Sequence, residues 1–187
     1  MKLYLGPSAY PKSIYSDNSG ELKYTAKSLG FPPTTCTPHI PQTNSIAENS
    51  VRRVKEGTSC MFPQSGLSFQ WWSEAMRCYC FLRNITDIMS YGHTPYQKRF
   101  GDFKGKQIPF GASVRYMALK DGEVLRELPL GDKTREGIFV GYHSHLGGKW
   151  SGDYLVIDAQ DMRHADSIRS VSYTHLRAHE TSLHLVC

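Results

Sequence analysis

Helical periodicity in the first half of the chain, followed by short strand patterns in the second half, is the feature that most restricts the possible folds. Apolar or small residues recur at steps of three and four along residues 45–61, which predicts an amphipathic helix. A longer helical pattern over residues 69–89 is apolar on more than one face, so we expect this helix to be buried. After Tyr91 and Gly92, short alternating runs replace the helical periods. The sequence therefore predicts an α/β protein with a domain boundary near residues 100–108.

The elements at the start of the chain are predicted to be short. Residues 14–16 have strand character, and a turn-forming run at residues 17–20 leads into a helix at residues 21–29. Gly30 is the expected C-terminal cap of that helix. A second short strand is expected at residues 34–36.

The second half of the chain carries the other strand patterns. Residues 113–118 alternate between apolar and polar side chains, and the pair Asp121-Gly122 favours a hairpin turn. Residues 137–142 and 153–158 are rich in β-branched and aromatic side chains. About four or five short strands of this kind predict a small β-barrel.

Composition and charge narrow the class of protein. The chain has 187 residues, with 22 Lys and Arg against 17 Asp and Glu and a net charge of +5, a mild basic excess that is compatible with a nucleic-acid partner. No apolar run reaches membrane-spanning length and residues 1–7 lack the apolar core of a signal peptide, so we expect a soluble intracellular protein without a membrane partner. The five cysteines lack disulfide-framework spacing, and we expect them to be reduced and buried.

Two carboxylates occupy positions that suit a metal site. Asp17 follows a predicted strand, and Glu48 lies in the first turn of the helix predicted over residues 45–61. Hard divalent cations such as Mg²⁺ or Mn²⁺ prefer oxygen ligands, and two of them activate the attacking oxygen and stabilise the leaving oxygen of a phosphodiester. Structural alternatives remain open, because Ser45 with Glu48 fits a capping box and residues 17–20 fit an ordinary turn.

The residues around both carboxylates belong to a series of motifs. These motifs are SDNSGE at residues 16–21, PQTNSIAE at residues 41–48, WWSEA at residues 71–75 and TPYQKRFG at residues 94–101. In this order, residues 5–100 resemble the integrase core of copia-type retrotransposon and retrovirus-related Pol polyproteins.

The resemblance implies that residues 1–103 are the C-terminal part of an RNase H-like integrase core. It also implies that Asp17 and Glu48 are the second and third residues of an Asp, Asp, Glu triad that binds Mg²⁺ or Mn²⁺. The family's first Asp belongs on an earlier strand, but residues 1–16 contain no acidic residue. We therefore interpret the core as truncated and expect little or no strand transfer from this chain alone. Ser45 stands where the family often has Gly.

The helix that carries Glu48 also carries basic residues. Arg52 lies four residues after Glu48 and Lys55 lies seven after it, so all three side chains share one helix face. In integrases this face meets DNA. The alternative is a solvated face with a weak Glu48–Arg52 ion pair. The predicted nucleic-acid contacts are Arg52, Lys55, Arg53, His39 and Asn44.

Residues 108–160 resemble the SH3-like β-barrel that follows this core, chiefly through the run TREGIFVGY at residues 134–142. Lys133, Arg135 and Lys149 are predicted to lie in its loops, where they would contact DNA phosphates without sequence preference. The alternative is that this domain is a packing module.

The end of the chain requires separate treatment. Residues 161–170 are predicted to be a tail. Residues 171–181 closely resemble a translated sequencing-library adapter, and residues 184–187 fit the next adapter segment in the same frame. We expect residues 171–187 to be an adapter-derived addition that packs against nothing, so its three histidines are not ligand candidates.

The sequence thus predicts a fragment of a retrotransposon integrase that functions in DNA integration. The implied chemistry of the intact protein is metal-dependent attack of a DNA 3'-hydroxyl on a target phosphodiester, and nucleic-acid binding is retained in the fragment. The expected partners are element ends and target DNA. A nuclear location and a homo-oligomer are compatible with an intact integrase. The alternative is a non-catalytic nucleic-acid-binding or assembly module from a decayed element.

Overall fold

The computed structural model describes residues 12–16, 18–35, 45–117, 134–164, 173–178 and 184–185. The chain is a mixed α/β protein. Its elements are β1 (Ile14–Ser16), α1 (Gly20–Ser28), β2 (Pro33–Thr35), α2 (Ser45–Ser65), a 3₁₀ turn (Phe69–Trp71), α3 (Trp72–Thr86), α4 (Pro95–Phe100), β3 (Ser113–Met117), β4 (Thr134–Ser144), β5 (Trp150–Asp158), α5 (Ala159–His164), β6 (Thr174–Arg177) and β7 (His184–Leu185). None of the helices within these ranges has the length and apolar character that crossing a membrane requires.

The chain divides into two compact units. The first consists of Met1–Glu56 with Leu146–Gly148, and the second of Gly57–His145 with Lys149–Cys187. In the first unit, β1 and β2 pair in parallel, and α1 provides the crossover that parallel neighbours require. Both strands and the helix confirm the elements predicted at residues 14–35.

Local sequence explains where α1 begins and ends. Ser19 is the N-cap, and its hydroxyl accepts a hydrogen bond from the Leu22 N–H at 3.5 Å. Glu21 in the first turn and Lys27 in the last turn complement the helix dipole. Gly30 has a φ of +76° and donates its N–H to the Lys27 carbonyl at 3.0 Å, which is the backbone shape that a glycine cap permits.

The second unit is built on a five-stranded antiparallel sheet with the order β6-β5-β4-β3-β7. Strands β3, β4 and β5 confirm the strands predicted in this half of the chain. The β4–β5 pairing shifts register near Gly141 and again near His143, which marks irregularities in the ladder. In the described part of the chain the strand order is linear, and the SH3-like barrel stays a prediction.

The core of the second unit lies between α3 and the sheet. Ala75, Cys78, Phe81 and Ile85 recur every three or four residues along α3, and all are buried. Helix α3 contacts β4, in which Phe139 is completely buried. The apolar face of one helix thus covers one face of the sheet.

The long helix predicted over residues 69–89 differs from the observed structure. In the structure, Phe69–Trp71 form a 3₁₀ turn, and α3 runs from Trp72 to Thr86. Trp71 is 5% exposed and belongs to the core, whereas Trp72 is 50% exposed. The expectation that the helix over residues 69–89 is buried is therefore wrong at Trp72, because successive helical residues point about 100° apart.

Helix α2 continues to Ser65, beyond the end predicted at residue 61. Thr58 and Met61 are buried as predicted, but Ala47 and Val51, on the same predicted apolar stripe, are exposed. The amphipathic pattern is therefore used only in the second half of the helix. Periodicity identifies a face, but burial depends on the partner that tertiary structure supplies.

The boundary between the units falls within α2, not near residues 100–108. Met61, Phe81 and Tyr96 precede the predicted boundary, yet they lie in the same apolar cluster as Val156 of β5. The helices and the sheet of the second unit thus share one core. The assignment of residues 1–103 and 108–160 to an RNase H-like core and an SH3-like barrel stays a prediction.

Buried tyrosines tie the segment before β3 to the sheet. The Tyr142 hydroxyl accepts a hydrogen bond from the Ile108 N–H at 2.8 Å and donates to the Lys106 carbonyl at 3.1 Å. The Tyr154 hydroxyl accepts from the Lys106 N–H at 2.6 Å. These bonds satisfy polar groups that would be costly to bury without a partner.

We expect the free energy of unfolding to fall as the pH rises through about 10 to 12. Burial and the hydrogen bond donated to Asp158 raise the pKa of Tyr116 to about 12, and burial raises the pKa of Tyr142 and Tyr154. Unfolded tyrosines have a pKa near 10, so the unfolded chain releases these protons at lower pH than the folded chain. The contribution of these tyrosines to the free energy of unfolding is therefore fully present below about pH 10 and declines above it.

Urea-unfolding midpoints over this pH range measure the effect. Tyr116→Phe should make the alkaline decline shallower, whereas Tyr24→Phe, at a position that is 78% exposed, should leave it unchanged. A midpoint that stays constant to about pH 12 would contradict the prediction.

The segment Thr174–Arg177 forms the edge strand β6, contrary to the expectation that residues 171–187 pack against nothing. It pairs with β5, with Leu176 opposite Tyr154. Leu176 has no exposed surface and belongs to the core cluster. The expectation was wrong because an alternating run with one inward leucine suffices to extend an antiparallel edge. The adapter origin of the segment stays a prediction.

Candidate nucleic-acid interface

The first half of α2 presents a charged face. Glu48, Arg52 and Lys55 are exposed and line one surface depression, together with Ala47, Val51 and Glu56. The spacing of four and three residues therefore places the three side chains on one face, as predicted. We call Glu48, Arg52 and Lys55 the Arg52 face.

Within the Arg52 face, the Arg52 guanidinium is held by a neighbour on the same helix. Its Nη2 donates a hydrogen bond to Asn49 Oδ1 at 3.1 Å. A guanidinium carries five N–H donors, so this bond orients the group and leaves donors for an anionic ligand. Arg53 is also exposed, but it lies about 100° around the helix from Arg52 and extends the basic surface sideways.

Helix α2 begins at Ser45, which places Glu48 in its first turn. The capping-box interpretation requires Ser45 to precede the first helical residue, so the observed start differs from it by one position. An exposed carboxylate at this end of a helix is favourably placed relative to the helix dipole. Its oxygens are of the kind that Mg²⁺ and Mn²⁺ bind.

The other predicted members of the site lie outside the described residues. These are Asp17, His39 and Asn44, together with Lys133 of the second half. Asp17 stands in the chain between β1 and α1, as the sequence indicates. The approach of the Asp17 and Glu48 carboxylates to a shared cation stays a prediction.

The basic residues predicted for barrel loops have different surroundings. Arg135 lies within β4, and its Nη1 is 3.6 Å from Oδ2 of the buried Asp158, so it is not a loop residue. Lys149 is exposed in the connection between β4 and β5. Of these two residues, only Lys149 keeps the exposed loop position that the prediction gave it.

The described cysteines have different environments. Cys78 is buried in the core of the second unit, and burial raises the pKa of its thiol to about 12. Cys80 is half-buried, and burial raises its pKa against the opposing effect of Arg83. Both thiols are therefore protonated and unreactive at neutral pH. Cys60 is exposed, so the prediction of burial is wrong for that residue.

A second cluster of chemically active side chains lies on the sheet, and sequence reasoning missed it. His143 of β4, Asp153 of β5 and His175 of β6 place one ligand atom each within 4.8 Å of the others. His175 lies in residues 171–187, whose resemblance to adapter sequence excluded their histidines as ligand candidates. The pairing of β5 with β6 is the signal that brings the three together.

Comparisons with known proteins give little further information. No protein-family model matches this chain. A chain in the cryo-EM structure of the simian T-cell lymphotropic virus intasome in complex with PP2A regulatory subunit B56 gamma is similar, with a TM-score of 0.39 and 16% sequence identity. The similarity covers 95% of this chain and 59% of that chain. A likeness at this TM-score supports no functional conclusion.

Proposed function

We propose that this chain is part of a copia-type retrotransposon integrase and that it binds DNA through the Arg52 face. The observation that carries the proposal is the exposure of Glu48, Arg52 and Lys55 on one side of α2. In the intact protein this surface serves metal-dependent DNA strand transfer. The order of the motifs at residues 16–101 supports this family.

The arrangement of the first unit supports this proposal. Strands β1 and β2 are parallel and are joined through α1, and Asp17 directly follows the carboxyl end of β1. In parallel sheets, ligands bind beyond the carboxyl ends of strands. The helix with Glu48 follows β2, so both carboxylates belong to the part of the chain that forms the first unit.

The described residues suit phosphate binding beside a carboxylate. Arg52 offers paired N–H donors to phosphate oxygens, and Lys55 offers a compact positive charge. Both offset the repulsion between Glu48 and an approaching phosphodiester. Asp17 and Glu48 would hold Mg²⁺ or Mn²⁺ through carboxylate oxygens, and such an ion, when bound, stabilises the charge that develops on phosphodiester oxygens.

DNA binding across a salt series tests the proposal. The wild-type chain should bind duplex DNA weakly, with affinity falling as salt rises, because phosphate contacts release counterions. Joint replacement Arg52→Glu and Lys55→Glu should weaken binding by roughly tenfold or more and reduce the slope of log K against log salt by about two. Fluorescence anisotropy with a labelled duplex gives both quantities.

A charge-matched variant controls for net charge. Lys98→Glu with Lys104→Glu makes the same change in charge at exposed positions of the second unit. This control should retain most of the affinity. Equal losses in the two double variants would contradict a specific Arg52 face, as would wild-type affinity that does not change with salt.

The competing function is a DNA-binding or assembly module without metal chemistry. Mg²⁺ titrations of DNA affinity distinguish the two functions. If Glu48 holds the ion, added Mg²⁺ should alter DNA affinity beyond its ionic-strength effect in the wild type but not in Glu48→Gln. The same response in both proteins would favour the module.

A further inference from the structure

Three potential metal ligands converge on the outer face of the sheet in the second unit. The Nδ1 atom of His143 is 3.8 Å from Oδ2 of Asp153, and the rings of His143 and His175 have centroids 4.7 Å apart at an angle of 72°. One ligand atom from each residue lies within 4.8 Å of the other two. Among the residues that the structure describes, this is the one such group of three.

Strand register explains why the three residues meet. Tyr142, Tyr154 and Leu176 come from three neighbouring strands, and all three are buried in the core. Side chains alternate between the faces of a sheet, so each residue next to one of these three points to the opposite face. His143, Asp153 and His175 are three of the six adjacent residues, and they share this face with Leu155 and Arg177, the register partners of His175 and Asp153.

Ser151 links two members of the cluster. Its Oγ lies 2.9 Å from His143 Nδ1 and 3.0 Å from Asp153 Oδ2, and it accepts a hydrogen bond from the Asp153 N–H at 3.2 Å. These contacts limit the freedom of the His143 and Asp153 side chains before the ion arrives, and a contact at an atom that binds the ion is released on binding. His175 is exposed, so its ring is free to rotate toward the other two.

We propose that His143, Asp153 and His175 form a binding site for a divalent transition-metal ion, with Zn²⁺ as the preferred ion. Two imidazoles and one carboxylate are a ligand set that zinc accepts, with water in the fourth position. Tetrahedral ligands at zinc distances stand about 3.4 Å apart, so binding requires the present cluster to contract by about 1.5 Å at most. Mg²⁺ prefers oxygen ligands alone and is excluded by the two nitrogens.

The site is a property of the chain as it stands and does not depend on the proposed function. His143 and Asp153 lie on β4 and β5, whereas His175 lies in the segment that resembles adapter sequence. Ending the chain at residue 170 therefore removes one of three ligands.

Metal titration of the untagged chain of residues 1–187 tests the proposal. After EDTA treatment and dialysis, Zn²⁺ is titrated in competition with a chromophoric chelator, and Co²⁺ is added separately as a spectroscopic probe. We expect one Zn²⁺ ion to bind per chain. Bound Co²⁺ should give a visible absorption band typical of low-symmetry coordination, and this band should disappear when Zn²⁺ displaces Co²⁺. Mg²⁺ should not compete.

Single substitutions identify the ligands. His143→Ala, Asp153→Asn and His175→Ala should each weaken Zn²⁺ binding at least tenfold and lose the Co²⁺ band. His93→Ala is the matched control, because His93 is an exposed histidine outside the cluster, with Nδ1 3.1 Å from Gln97 Oε1. Far-ultraviolet circular dichroism shows whether each variant is folded. Because His175 is exposed, His175→Ala should fold normally and tests the site even if the other two variants misfold.

Two results would overturn the assignment. One is the absence of Zn²⁺ binding at micromolar concentrations by the folded wild-type chain. The other is a substitution pattern that does not single out the cluster, namely wild-type affinity in folded His175→Ala or an equal loss in His93→Ala and His143→Ala.

Discussion

Deletion of residues 171–187 should lower the melting temperature by on the order of 10 °C. The deletion removes the whole of β6, including Leu176, which is completely buried against the sheet. Emptying a buried leucine site costs about 2–5 kcal/mol, and the loss of the β5–β6 pairing adds to it. For a chain of this size each kcal/mol corresponds to about 2–4 °C. Differential scanning calorimetry of the two chains gives the shift.

A pair of point variants separates packing from chain length. Leu176→Ala should account for about 2–4 kcal/mol of the loss by itself. Leu146→Ala removes the same atoms at a position that is 63% exposed and should cost well under about 1 kcal/mol. Unchanged melting on deletion would show that β6 does not dock and would restore the expectation of an unpacked tail. Genomic DNA at the native locus is the separate test of adapter origin.

Tyr142→Ala should destabilise the second unit by about 3–5 kcal/mol. The ring of Tyr142 stacks on Phe81 of α3, with centroids 4.4 Å apart and planes at 21°. Its hydroxyl bonds the backbone of Lys106 and Ile108. The substitution therefore opens a cavity between helix and sheet and leaves polar groups of another segment unpaired.

Tyr142→Phe divides this effect into its two parts. The ring remains, but the buried Ile108 N–H loses its partner, so we expect a loss of about 1–3 kcal/mol. Urea unfolding followed by circular dichroism measures both variants. If Tyr142→Phe were as damaging as Tyr142→Ala, the hydrogen bonds would outweigh packing. If both were neutral, the contact between Tyr142 and Phe81 would not support the fold.

Local elements were the most predictable part of this chain. The turn-forming run at residues 17–20 and Gly30 act within a few residues, so they predict the limits of α1 without knowledge of the fold. The alternation in β3 and the β-branched and aromatic side chains of β4 and β5 are equally local signals. The shared face of Arg52 and Lys55 follows from helix geometry alone.

Burial was less predictable because it depends on distant partners. The apolar stripe of α2 is the same at Val51 and at Met61, yet only Met61 reaches the core. Trp71 and Trp72 are chemically identical neighbours with opposite environments. The His143, Asp153 and His175 cluster required the register of three strands, which sequence spacing does not supply.

Strand β6 also shields the backbone of its neighbour. Residues Tyr154, Leu155 and Val156 of β5 pair with β6 on one side and with β4 on the other. Without β6, the peptide groups on the outer side of β5 would be open to the extended backbone of a second molecule. A short segment therefore affects aggregation as well as stability, since its loss replaces the four-residue β6 edge with the longer β5 edge, which is a better template for intermolecular strand addition.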